Sequence, residues 1–209
     1  MNDHVLYHLP TTPMDILSFW FSDKSRPKWF AKEPSFDAVV SARYGAVLQA
    51  AKRGELFQWR KTIRGRLAEI IVLDQFSRNI HRGTATAFES DAQALLLAQE
   101  AVRDETRFEL TPDEKAFLYM PFMHSESPVI HEEGLKLFSE VGLESHLAYE
   151  EEHRRVIQRF GRFPHRNAIL GRACTAEEDL YLAQDRISNL LRQLHFPQPI
   201  SRRALPGKL

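Results

Sequence analysis

IRGRLAEIIVLDQFSRNI, residues 63–80, is the stretch on which the fold turns. Set at about 100° per residue, Leu67, Ala68, Ile70, Ile71, Val72, Leu73, Phe76 and Ile80 place apolar groups on every side of a helix. A helix apolar all round is a buried one, so the remaining elements are expected to pack around it. Asp74 and Arg78 lie one turn apart within it, and Arg82 falls a further turn on if the helix continues. A carboxylate and a guanidinium at that spacing can pair. A buried charge must pair or carry a large penalty, so a structural Asp74–Arg78 bridge is the expectation. Gly83 ends the helix.

Toward the N-terminus, Ser35 is read as the cap of a helix that stops at Gly54, with Phe36, Val39, Val40, Tyr44, Val47, Leu48 and Ala51 as its apolar stripe. The run SDKSRPK is a loop, after which Trp29 and Phe30 re-enter the core. Thr12-Pro13-Met14-Asp15 combines a capping threonine, a first-turn proline and an acidic third position, and opens a short helix. Residues 1–11 show no periodicity and form a loose arm.

Toward the C-terminus, TATAFESDAQALLLAQEAVRDE is the next helix, with Phe88, Ala92, Leu95, Leu96, Gln99 and Val102 expected inward. Thr111-Pro112-Asp113-Glu114 is the clearest capping box in the chain. It starts KAFLYMPFMHSE, in which Pro121 should kink or break the helix and turn His124 and Glu126 toward the interior. Ser127-Pro128 begins a helix through Phe138 that Gly142 closes. The following helix, residues 144–160, turns Leu147, His153, Val156, Ile157 and Phe160 inward, while Glu150, Glu151 and Glu152 read as solvated.

FGRFPHRNAILGR, residues 160–172, has no acidic residue. Pro164 suits a first helical turn and Gly171 the residue past the end, so a short helix is expected there with Arg162, His165 and Arg166 around its start. Helix N-termini favour negative charge, so these cations call for an anion, either a carboxylate of the fold or a bound ligand. Thr175-Ala176-Glu177-Glu178 caps the last helix, striped by Leu180, Ala183, Ile187, Leu190, Leu191 and Leu194, and FPQPISRRALPGKL is a basic, proline-rich tail. No segment alternates as a strand would, so the class is all-α with eight or more helices. The organisation is an arm over 1–11, one helical domain over 12–195 and a tail over 196–209.

Composition narrows the function. The chain has 209 residues with 43% hydrophobic content, enough for a sizeable core. Its 28 basic and 28 acidic residues balance, so no global field holds nucleic acid. No stretch approaches a membrane-spanning length. Cys174, the single cysteine, precludes an internal disulfide and suits a reducing, cytoplasmic compartment. No metal or cofactor is expected: His124 and Glu126 are two apart, His153 is remote, and no phosphate loop, nucleophile elbow or HExxH occurs. No reaction is therefore assigned.

LDQFSRNIHRG (73–83), FLYMPFMHSE (117–126) and FGRFPHRNAILGR (160–172) together resemble the bacterial family known as domain of unknown function 924, over about Trp20 to Asp179. The resemblance implies a tetratricopeptide-like array of antiparallel helix pairs and brings no activity or substrate with it. Its motifs fall on Asp74, Gln75, Arg78, Asn79, Arg82, His124, Glu126, Arg162, His165, Arg166, Asn167 and Arg172. Glutamine is usual where His131 stands, and an acid then serine where Ala173 and Cys174 stand, which argues against roles for His131 and Cys174.

Two functions follow as expectations. In the first, Arg78, Arg82, His124, Glu126, Arg162, His165 and Arg166 line one pocket for a small anion, since arginine forks grip carboxylate or phosphate and histidine titrates near neutrality. Asp74, Asn79, His153 and Arg172 support it as a structural network. In the second, the same cluster is only a salt-bridge network within a helical scaffold that takes an acidic peptide or protein partner.

Overall fold

Thr12 opens the first helix with a reciprocal capping box: its hydroxyl accepts from the Asp15 N–H while the Asp15 carboxylate accepts from the Thr12 N–H. The computed structural model describes residues 11–184, and the first ten residues and residues 185–209 lie outside that range. The expectations of a loose arm, of a last-helix stripe beyond 184 and of a basic tail therefore fall almost wholly outside the described residues. These residues divide into two units at Phe163–Pro164, each taken by itself below.

The first unit holds eight α-helices, and no strand occurs among the described residues. They are α1 (Pro13–Trp20), α2 (Pro34–Lys52), α3 (Ile63–Ile71), α4 (Ser77–Ile80), α5 (Asp91–Ala101), α6 (Pro112–Met123), α7 (Pro128–Phe138) and α8 (Glu144–Phe160). α3 and α4 are one continuous helix interrupted by a π-helical turn, Val72–Phe76. This helix is the centre, as its pattern demands: α1, α5 and α6 pack on α3, and α2 packs on the π-turn and α4. Leu67, Ala68, Ile70, Ile71, Val72, Leu73 and Phe76 are all fully buried. α7 packs on both α6 and α8.

Several details differ from the sequence reading. The α2 cap is Glu33, with Pro34 rather than Ser35 opening the helix, because proline's fixed φ suits the first helical position. The inner face of α5 is Ala94, Ala98 and Ala101, whereas Leu96 is 63% exposed. Small side chains at helical spacing let α5 approach α3 closely, and that outweighs the pull of the leucine run. Phe30 is 69% exposed rather than in the core. α6 continues through Pro121 to Met123 without a break. Gly142, at φ +89°, sits where only a residue without a Cβ rests easily, between α7 and α8.

In the second unit, the short helix expected from Pro164 is a three-residue 3-10 turn, Pro164–Arg166, followed by further turns to Gly171 at φ +66°. A single turn has no appreciable macrodipole, so the charge deficit inferred from a basic helix start does not arise. Thr175 and Glu178 form the expected reciprocal cap, and residues 176–184 are helical. Among the described residues no helix is long and apolar enough to cross a membrane.

Candidate functional site

The π-turn carries the chemistry of the central helix. Such turns insert a residue into the helical ladder and recur at functional sites. Here the turn holds Asp74, only 1% exposed, against two side chains from different elements. Arg78 Nη1 lies 2.9 Å from its carboxylate and also donates to the Asp74 backbone carbonyl at 2.8 Å. His124 Nδ1 lies 2.8 Å from Asp74 Oδ1, and Gln75 donates its amide to the other oxygen. Arg78 then reaches Asp91 on α5, with Nη2 donating to Oδ2 at 3.0 Å.

Protonation follows from these contacts. Burial opposes charge on Asp74, but Arg78 and His124 outweigh it and hold the carboxyl well below the usual carboxylate range. Burial, helped by the Arg78 charge, pushes the His124 imidazole down despite the attraction of Asp74. At neutral pH the pair is therefore a carboxylate and a neutral imidazole. A carboxylate only accepts, so Nδ1–H of His124 donates to Asp74 and Nε2 carries the lone pair.

His124 caps the end of α6, its N–H donating to the Met120 carbonyl at 3.0 Å. From there it lines a pocket of about 250 Å³ with Phe30, Met120, Met123, His146, Tyr149 and His153. The pocket is mostly apolar with three imidazoles in its wall. Burial pushes His146 down, so it too is neutral near pH 7. His153 Nδ1 donates to the Tyr149 carbonyl at 2.8 Å, and its ring meets Phe163 edge-on. Among the described residues no group of three or more His, Cys, Asp or Glu could hold a metal ion.

Asp74, Arg78 and His124 meet. Arg82 and Asn79 are drawn to Asp37 on α2 instead: Arg82 donates to both carboxylate oxygens, at 2.6 and 2.8 Å, and Asn79 to Oδ1 at 2.7 Å. Arg78 and Arg82, expected to grip a ligand, are both engaged with carboxylates. Glu126 accepts the Phe163 N–H at 2.7 Å, and Arg162 is half-buried. In the second unit His165 is exposed and Arg166 is buried, while Asn167 accepts from Arg172 at 3.0 Å and donates to Cys174 Sγ at 3.3 Å.

Sequence reasoning missed the most enclosed polar pair. His131 and Glu150 are both fully buried, with Nδ1 2.7 Å from Glu150 Oε1 and Nε2 2.9 Å from the Ser125 carbonyl. Burial pushes the Glu150 carboxyl up, more strongly than His131 pulls it down. A carbonyl only accepts, so His131 Nε2 carries a proton and donates to Ser125. Glu150 sits in an acidic run that looks solvated, and His131 departs from the family pattern. The available signal was Gly134, one turn beyond His131: a Cβ there would lie 2.8 Å from Glu150 Oε1.

The architecture and this chemistry define an all-helical protein with two enclosed histidine–carboxylate pairs. Residues 16–186 match the family described as bacterial protein of unknown function, DUF924, and the chain belongs to that family. It is similar to the solved structure of a protein of unknown function from Agrobacterium tumefaciens, at 38% sequence identity and a TM-score of 0.78, covering 82% of this chain and 97% of that one. No curated protein matches the chain.

Proposed function

We propose that the pocket walled by Phe30, Met120, Met123 and His124 binds a small organic acid with an apolar body as its carboxylate, and that His124 takes up a proton from water as it binds. The carrying observation is the 2.8 Å bond from His124 Nδ1 to the buried Asp74 carboxylate, which orients the ring and places an acceptor for its cationic form. Two carboxylates, Asp74 and Asp91, face one guanidinium, Arg78. A proton on His124 adds a cation beside Asp74, and the bound anion rests against the imidazolium. The ligand, already a carboxylate near neutrality, gives up no proton; His124 gains an N–H at the expense of water, and Asp74 stabilises the cation without moving, as a buried carboxylate does for a histidine it holds. Gln75 and Arg78 position Asp74, while Arg82, Asn79 and Arg172 hold the fold. The lone cysteine favours a cytoplasmic setting.

Calorimetry with benzoate tests this. Near pH 7 binding should take up close to one proton, measured from the dependence of the heat on buffer ionisation. Affinity should rise as pH falls, and His124→Gln should weaken binding about tenfold. Unchanged binding by His124→Gln, or no proton uptake, overturns it. The alternative is a tetratricopeptide-like scaffold gripping an acidic peptide, supported by the sequential packing of α7 on α6 and α8. Saturable binding of an acidic peptide that benzoate does not displace would favour it.

A further inference from the structure

Another cleft of the first unit lies elsewhere. About 570 Å³ in volume, it is formed by α1, the loop after it and the start of α2. Its apolar wall is Phe19 and Phe36, whose rings stack 5.8 Å apart and 7° from parallel, extended by Val39. Its cations are Lys24, Lys28 and Arg43.

These cations are not equivalent. Lys28 is paired with Glu33 at 2.9 Å. Arg43 and Lys24 have no ion pair among the described residues. Elsewhere in the unit, Arg60, Arg78, Arg82, Arg107 and Arg154 each meet a carboxylate. Arg43 is instead held over two rings, with its guanidinium carbon 4.8 Å from the Phe19 centroid and 5.1 Å from that of Tyr44. Stacking of this kind fixes the planar fork while leaving its N–H groups for an acceptor. The one acid in the cleft wall, Asp15, is taken up by the N–H and hydroxyl of Thr12 at 2.8 and 2.7 Å.

We propose that this cleft is a second ligand site, for an organic phosphate monoester with a flat apolar body. The body lies against Phe19, Phe36 and Val39. The phosphate, close to a dianion at neutral pH, is met by the two cations that lack carboxylates, Arg43 as a two-point fork and Lys24 as a mobile point charge. A carboxylate would satisfy Arg43 alone, whereas a phosphate uses both charges. The site shares no residue with the His124 pocket.

Phenyl phosphate, inorganic phosphate and phenol, titrated separately by heteronuclear NMR, test it. Phenyl phosphate should bind saturably with shifts on α1 and the start of α2, more tightly than inorganic phosphate, and phenol should bind least. Arg43→Gln should weaken phenyl phosphate about tenfold and Lys24→Gln about threefold. Both side chains are exposed, so both variants should fold, and an unchanged melting temperature verifies this. His124→Gln should leave phenyl phosphate binding unchanged, which separates failure here from failure of the benzoate site. No saturable binding, equal affinity for all three probes, or undiminished affinity in both cleft variants overturns the proposal.

Discussion

Asp74–His124 and His131–Glu150 are the same chemical pair in two settings, and their carboxyl groups are shifted in opposite directions. Asp74 has Arg78 at 2.9 Å and gives up its proton, so His124 faces the pocket as a neutral base. Glu150 feels Arg154 only as the weakest of its influences, and the far nitrogen of its histidine is tied to the Ser125 carbonyl, so burial wins and pushes the carboxyl up. The third partner decides, a guanidinium in one case and a carbonyl in the other. Exposure follows the same division: the His124 side chain is 17% exposed, whereas His131 and Glu150 are sealed. The two are also linked in the chain, because Ser125 stands directly after His124, so the sealed pair pins the turn that carries the open one.

Substitutions should separate the two. Asp74→Ala strands Arg78 and His124 together and should cost about 3–5 kcal/mol in urea unfolding. A loss below about 1 kcal/mol would mean that Asp91 alone neutralises Arg78. Glu150→Ala should cost about 1–3 kcal/mol, while Glu150→Gln, whose amide can donate to Nδ1 as a protonated carboxyl would, should cost much less. If glutamine is as damaging as alanine, the sealed pair is ionic and the contrast fails.

The two pairs should also bend stability in opposite directions with pH. A base whose folded pKa is depressed binds fewer protons folded than unfolded, so the His124 contribution falls as pH drops below about 6.5. Asp74, also depressed, contributes above about 3.9 and is lost as pH falls through its folded value. Glu150, raised, contributes fully below about 4.3 and progressively less as pH climbs through its folded value. Melting curves of His124→Gln and Glu150→Gln across that range should lose the acid-side and alkaline-side slopes respectively. The smallest effect is reserved for Arg82→Gln, about 0.2–1 kcal/mol, since the Arg82 side chain is 37% exposed and Asp37 keeps its bond from Asn79.

What could be read in advance was what is local. Capping boxes at Thr12 and Thr111 involve residues three apart, and the apolar belt of the central helix lies in one segment, so both follow from sequence alone. Asp74 and Arg78 are likewise one turn apart. The π-turn left no periodic trace, because one added residue is lost within a helix apolar on all sides. The partners of Arg82 and His131 lie 45 and 19 residues away, and nothing local distinguishes Glu150 from the solvated glutamates beside it. The face of α5 was misread because leucine signals burial by its hydrophobicity, while alanine signals close approach only once the neighbouring helix is known.

Trp29 turns one of these arrangements to practical use. Its indole donates to the Trp20 carbonyl at 2.8 Å and stands edge-on to Phe30, with ring centroids 6.4 Å apart, and Phe30 is part of the wall of the His124 pocket. Arg26 lies over the same indole at 5.1 Å. An occupant that shifts Phe30 changes the polarity and charge around an anchored fluorophore. The chain therefore carries its own optical gauge of occupancy, in which filling of the His124 pocket is read as a shift in tryptophan emission without any label.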